Sequence, residues 1–244
     1  MPKYFFSSDQ LQGDKIVLQG DTAHHLLHVL RVGIGDKATL CDSANTDYRG
    51  TVEAISTKSK TPTVTFNIEE STPCNTEPHT KVTLYQSLPK GDKLDIIIQK
   101  CVELGVFAII PVMTTRSVAR LKDAQRKISR YGRIAESAAG QSMRGIIPTV
   151  HTAISFARAV EEMDTSALTL VAYEEEKMQS LKNAVSSSPS TINLWIGPEG
   201  GFTTEEIATL QKNQAISMTL GKRILRTETA AIAALAQILC LLES

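Results

Sequence analysis

The chain has 244 residues, 42% of them hydrophobic, with 26 Lys plus Arg balancing 26 Asp plus Glu. That is enough apolar material for one large domain or two smaller ones, and the balanced charge excludes a uniformly basic nucleic-acid binder, leaving any such role to local patches. The four cysteines, Cys41, Cys74, Cys101 and Cys240, show neither Cys-x-x-Cys nor a nearby histidine spacing, so no metal site and no disulfide framework is expected, and a reducing cytoplasm fits.

Lys3 is followed by a short aromatic patch and then Ser7, Ser8 and Asp9, which is not the pattern of a secretory signal. Up to about residue 70 the chain reads as short strands and turns: "KIVLQG", "KATLCD", "RGTVEAI" and "PTVTFNI", the last alternating Val64, Phe66 and Ile68 at period two. This predicts a small β-barrel or sandwich. The exception is "DTAHHLLHVLRVGIGD", a predicted helix capped by Asp21 or Thr22, with Leu26, Leu27 and Leu30 on its apolar face and Gly33 as its stop. His24, His25, His28 and Arg31 fall mostly off that face. The segment 71–80, "STPCNTEPHT", reads as a linker, which ends the first domain near residue 72 and starts the second near residue 80.

After the linker the rhythm becomes strand, helix, strand. "KVTLYQSL" leads through "PKGDK" into a helix from about Leu94 to Leu104, and Gly105 stops it before the strand "VFAIIPV". A long helix over about Ala124 to Ala139 comes next, then a helix near Ala153 to Met163, the strands "ALTLVAY", "INLWIG" and "ISMTL", and a final helix from about Thr227 to Leu242. Such alternation predicts an α/β domain built on a parallel sheet, with ligands at the carboxyl ends of its strands. The longest apolar stretch, Ala230 to Leu242, is interrupted by Gln237 and falls short of the roughly 20 residues of a membrane span.

Three strand ends carry unusual sequence: "VAYEEE", "GPEGGF" and "LGKRILRTETAA". In "LWIGPEGGFTTEEI" the glycines let the backbone turn sharply, and Thr203 with Glu206 forms a capping box for the next helix. Neither Gly-x-x-x-x-Gly-Lys nor Gly-x-Gly-x-x-Gly is present, there is no Gly-x-Ser-x-Gly elbow, and the five histidines lie away from these turns. That leaves a pair of glycine-containing turns, one with Glu199, the other with Arg223, Arg226 and Glu228. A basic run, Arg116, Arg120, Lys122, Arg126, Lys127, Arg130, Arg133 and Arg144, is opposed only by Asp123 and Glu136, with Arg126, Arg130 and Arg133 on one helical face.

These motifs, "IGPEGGFTTEEI", "LGKRILRTETAA", "IIQKCVELGV", "TTRSV" and "RIAESAAGQSMRGIIP", resemble those of the RsmE family of bacterial ribosomal RNA methyltransferases of the SPOUT class. "HHLLHVLRVGIGD" is also similar to the family's N-terminal domain, so the resemblance spans the chain. It implies a PUA-like N-terminal β-domain, a C-terminal α/β domain tied in a trefoil knot, a homodimer, S-adenosyl-L-methionine as cofactor, and N3-methylation of one uridine of 16S ribosomal RNA in the 30S subunit. Many family members carry an acidic residue where this chain has Thr115 and a glutamate where it has Gly140.

Carried over residue by residue, the resemblance places the cofactor against Ile196, Gly197, Pro198, Gly200, Gly201, Leu220, Gly221, Ile224 and Leu225, with Leu170, Ala172 and Tyr173 as a further wall. Arg226 is the first choice for stabilising charge on the uracil or gripping a phosphate, and Glu228 or Glu199 for orienting that arginine or accepting the proton, although a structural pairing suits each glutamate at least as well and satisfying turn amides suits Glu199 better than direct catalysis. His25, Arg31, Arg116, Arg126, Arg130, Arg133 and Arg144 are the expected RNA contacts. Two alternatives stand beside this reading: a methyltransferase acting on a ribose 2′-hydroxyl or on transfer RNA, and a non-catalytic ribosome-assembly protein that binds RNA.

Overall fold

The computed structural model describes residues 3–57, 61–117, 124–185 and 188–243. The chain divides into two compact units: Met1–Glu77 with Ala139–Ile147, and Pro78–Ala138 with Pro148–Ser244. A reading as two consecutive domains does not contain that return of Ala139–Ile147 to the first unit.

The first unit holds β1 (Tyr4–Phe5), β2 (Leu11–Gln12), β3 (Lys15–Gln19), α1 (Gly20–His28), β4 (Lys37–Cys41), β5 (Thr46–Ser56) and β6 (Thr63–Pro73). They form one six-stranded sheet in the order β1-β4-β5-β6-β3-β2, antiparallel except where β1 joins β4. The period-two alternation buries Ile16, Leu18, Val64 and Phe66 on one side, where Ala23 and Leu26 of α1 close the core. Helix α1 continues from β3 directly through Gly20, so Asp21 lies in its first turn instead of capping it, and Gly33 lies well beyond its end. The linker expectation is corrected at its start. Strand β6 runs through Ser71, Thr72 and Pro73, paired with Tyr48, Asp47 and Thr46; ladder hydrogen bonds to the long β5 outweigh the turn-like composition there. Lys3, almost completely buried, donates to the Met143 carbonyl at 2.9 Å and lies 2.6 Å from Asp47 Oδ1 and 3.2 Å from Cys74 Sγ. Burial opposes its charge, but the hydrogen bonds with Asp47 and Cys74 outweigh it and hold the ammonium above the usual lysine value.

The second unit contains β7 (Lys81–Ser87), α2 (Lys93–Leu104), β8 (Ala108–Met113), most of α3 (Ala124–Gln141), β9 (Thr149–Val150), β10 (Ile154–Ser155), α4 (Phe156–Glu162), β11 (Leu168–Ala172), α5 (Leu181–Ala184), β12 (Thr191–Ile196), α6 (Thr204–Lys212), β13 (Ile216–Met218) and α7 (Thr227–Leu242). Its sheet is parallel throughout, ordered β10-β8-β7-β12-β11-β13 with β9 beside β8. Ile192 to Ile196 of β12 are all buried, as the near-continuous apolar run of a central parallel strand requires. Trp195 stacks on Tyr85 at 4.5 Å, and Phe156 meets it edge-on. The helix expected near Ala153 to Met163 is shorter, because Ile154 and Ser155 pair with Val112 and Met113 and Ser155 then caps α4.

Adjacent β11, β12 and β13 end side by side, and the turns that leave their carboxyl ends build the site.

Candidate active site

A cavity of about 470 Å³ opens at these three strand ends. One wall is Ala172, Tyr173, Glu174 and Lys177 after β11; the second is Ile196 to Gly201 after β12; the third runs from Thr219 to Thr227 after β13 and on to Ala230 in α7. Of the residues expected to hold a cofactor, Ala172, Tyr173, Ile196, Gly197, Pro198, Gly200, Gly201, Leu220, Gly221, Ile224 and Leu225 all line it. Leu170 does not: it is fully buried within β11, opposite Leu194 and Ile216, and belongs to the core.

The glycines do different work. Gly201 (φ +69°) and Gly221 (φ +116°) hold backbone conformations that L side chains rarely adopt. A Cβ on Gly221 would meet nothing within 4 Å, whereas one on Gly201 would lie 2.0 Å from Glu174 Oε1. Gly197 instead leaves room for protein, since a Cβ there would approach the Phe202 ring at 3.3 Å, while a Cβ on Gly200 would make only ordinary contact with the Arg116 side chain at 3.5 Å.

Hydrogen bonds lock the two turns together. Thr227 Oγ1 donates to the Gly197 carbonyl at 2.7 Å and accepts from the buried Gln86 Nε2 at 3.0 Å. This ties the start of α7 to the end of β12 across the end of β7. From the other side, Arg116 Nη1 donates to the Gly200 and Phe202 carbonyls at 2.7 and 3.1 Å. The Thr115 amide and hydroxyl donate to Glu206 Oε1 at 2.8 and 3.0 Å, while Glu206 Oε2 accepts from the Thr203 amide. The expected capping box is thus present and shared with the loop after β8.

The two carboxylates are organised by a residue that the sequence does not single out. Lys93 Nζ lies 2.7 Å from Glu199 Oε1 and 3.6 Å from Glu228 Oε2, and the Lys90 amide also donates to Glu199. Burial alone would raise the Glu199 carboxyl, but the hydrogen bonds from Lys93 and from the amides of Glu199 and Lys90 hold it below its ordinary value. The same pairing with Glu199 raises Lys93. Neither glutamate therefore orients Arg226. Arg226 lines the cavity, exposed and with no hydrogen-bond or ion-pair partner among the described residues. Glu228 Oε2 is buried and has no hydrogen-bond partner among the described residues. Lys93 escapes notice in the sequence because it lies 106 positions before Glu199, at what reads only as a helix start.

The basic residues divide. Arg126 and Arg133 are exposed on α3, and Arg130, also exposed, pairs with Asp95 of α2. His25 and Arg31 are exposed in the first unit. Arg116 clamps the glycine turn, as above. Arg144 is corrected: it is 2% exposed, with its guanidinium 2.5 Å from Glu77, which also accepts from the Gly145 amide, so it is a buried structural cation. Arg120 and Lys122 lie outside the described residues. Among the described residues no group of three His, Cys, Asp or Glu side chains is arranged to hold a metal ion, and no helix is long and apolar enough to cross a membrane.

Residues 76–239 match the model of the RNA methyltransferase domain, and residues 18–61 that of the RNA methyltransferase PUA domain. The chain is 37% identical over 249 residues to the ribosomal RNA small subunit methyltransferase E of Bacillus subtilis (strain 168), covering 98% of this chain and 96% of that one. The chain belongs to this methyltransferase family. The Synechocystis enzyme of the same name is 35% identical, with 97% of this chain and 76% of that one aligned. A crystal structure of the Neisseria gonorrhoeae enzyme of that name, bound to S-adenosyl methionine, superposes with a TM-score of 0.87 at 30% identity, covering 99% and 98% of the two chains. Family membership fits the α/β domain on a parallel sheet and the PUA-like β-domain. The two positions where the resemblance expects an acidic side chain are locally constrained. A Cβ on Gly140 would lie 2.5 Å from the Lys3 carbonyl oxygen, and an acidic residue at position 115 would face the buried Glu206 carboxylate that Thr115 now satisfies.

Proposed function

We propose that the protein transfers a methyl group from S-adenosyl-L-methionine to N3 of one uridine of 16S ribosomal RNA in the 30S subunit, acting as a homodimer in the cytoplasm. The observation that carries this is the cavity itself: about 470 Å³, walled by bare backbone at Gly201 and Gly221, with an unpartnered arginine on its rim. That volume, lined by apolar side chains and bare backbone together with charged groups, suits a nucleoside-sized cofactor. Ile196, Leu220 and Leu225 would flank the adenosine, and the peptide groups of the two glycine turns would meet its polar edges. Bound there, the cofactor supplies a methyl group already activated by positively charged sulfur.

The protein's remaining task is to make the uracil nucleophilic and hold it in line. The N3 proton must leave, and the negative charge that develops over the uracil is stabilised by Arg226. Glu199 lines the cavity and is held ionised by Lys93, whereas Glu228, 3.6 Å from the same lysine, is not among the lining residues, so of the two Glu199 is the one placed to accept the proton. Arg126 and Arg133 of α3 bind phosphates, with His25 and Arg31 of the β-domain adding a second contact. The half-exposed apolar side of α7, including Ile232, Ala233, Ala236 and Leu241, forms the dimer contact. We also propose that the C-terminal domain carries the trefoil knot that the resemblance implies.

Single-turnover methylation of undermethylated 30S subunits tests the roles. Arg226→Ala leaves cofactor affinity intact and slows methylation on the order of 10²-fold; Glu199→Gln slows it more than Glu228→Gln does. A parental rate in Arg226→Ala contradicts the assignment.

A further inference from the structure

Three consecutive glutamates, Glu174, Glu175 and Glu176, come after β11, and two have occupations. Tyr173 Oη donates to Glu175 at 2.9 Å, and Glu176 accepts from the amides of Met178 and Gln179 at 2.7 and 3.0 Å. The Glu174 carboxylate has no hydrogen-bond or ion-pair partner among the described residues. The nearest lysine in sequence, Lys177, donates to the Glu174 backbone carbonyl at 2.6 Å instead. Yet Glu174 lines the cavity, and its Oε1 occupies the space that a side chain on Gly201 would fill. Glu174 is exposed, and its carboxylate lies against the bare backbone of Gly201 on a cavity whose other charged side chains are mainly cations.

We infer that Glu174 is a specificity-determining residue for the cofactor: its carboxylate meets the positively charged sulfonium and so favours S-adenosylmethionine over the demethylated product. The inference rests on the cofactor named under Proposed function and is independent of which RNA atom is methylated. Methyl transfer converts the sulfonium to a neutral thioether, because the carbon–sulfur bond breaks and its electron pair stays on sulfur. The attraction to Glu174 then disappears while every other contact is kept. An anion at this position thus promotes exchange of spent cofactor for fresh, since it binds the charged form selectively.

Calorimetric titration without RNA tests this. The parent and Glu174→Gln are each titrated with S-adenosylmethionine, S-adenosylhomocysteine and sinefungin, whose amine carries a positive charge beside the position of the sulfur. The expected result is a loss of about tenfold for the two cationic ligands, the scale of one charge-assisted hydrogen bond, with less than about a threefold change for S-adenosylhomocysteine, which offers no charge to the carboxylate. Glu174→Asp, which keeps the charge, restores part of the preference. An equal loss for all three ligands, or no loss for any, overturns the inference while leaving the cofactor reading intact. Failure of the parent to bind S-adenosylmethionine overturns both.

Discussion

Substituting alanine at Gly201 and, separately, at Gly221 isolates what a single methyl group does on each side of the cavity. Both residues have positive φ, +69° and +116°, so each alanine carries the cost of left-handed backbone, about 1–2 kcal/mol for an L-residue, partly offset by the less flexible unfolded chain, roughly 0.4–1 kcal/mol. A net loss of about 1 kcal/mol lowers the melting temperature of a chain this size by about 2–4 °C. The surroundings differ. At Gly221 the methyl group meets nothing within 4 Å, whereas at Gly201 it lies 2.0 Å from Glu174 Oε1. That carboxylate ends a flexible side chain and swings aside at little cost to stability. Melting curves are therefore expected to shift similarly for the two variants, while only Gly201→Ala loses preference for S-adenosylmethionine over S-adenosylhomocysteine. Combining Gly201→Ala with Glu174→Gln adds little further loss, because both remove the same interaction. Parental melting of Gly201→Ala refutes the backbone argument, and fully additive losses in the double variant refute the placement of the carboxylate.

Arg126→Ala with Arg133→Ala is expected to weaken RNA binding and to flatten its salt dependence by about one unit of slope for each arginine–phosphate pair removed; an unchanged slope makes this face of α3 merely solvated. Arg144→Ala is expected to destabilise the protein by about 3–5 kcal/mol in urea melts, because it strands the Glu77 carboxylate, and to leave that salt slope unaltered; a stable variant with a shallower slope returns Arg144 to the RNA surface. Sedimentation at micromolar concentration is expected to give a dimer, and Leu241→Glu on the exposed side of α7 a monomer; a monomeric parent removes α7 as an interface.

Much of the site is legible in the sequence because glycine turns and caps are local chemistry. Thr203 and Glu206 stand three residues apart, and their reciprocal hydrogen bonds result from that spacing. The two glycine turns fall at strand ends by their sequence, and the parallel sheet brings them together. Features that depend on distant partners stay hidden. Lys93 reads as an ordinary helix start until the fold brings Glu199 and Glu228 to it. Arg144 reads as part of a basic run until Glu77 buries it. Ser71 to Pro73 read as linker because their composition favours turns, yet the partners that make them a strand lie on β5. The two-residue strands β9 and β10 are too short for any periodicity to show.

The central claim concerns which atom receives the methyl group, and mass spectrometry of the product measures it directly. Undermethylated 30S subunits are incubated with the purified protein and methyl-labelled S-adenosylmethionine, and the 16S ribosomal RNA is digested to nucleosides and mapped. The account predicts one label per subunit, recovered as N3-methyluridine at a single position and incorporated on the order of 10²-fold more slowly with Arg226→Ala. Label recovered on a ribose 2′-hydroxyl, or RNA bound without any label transferred, would contradict it.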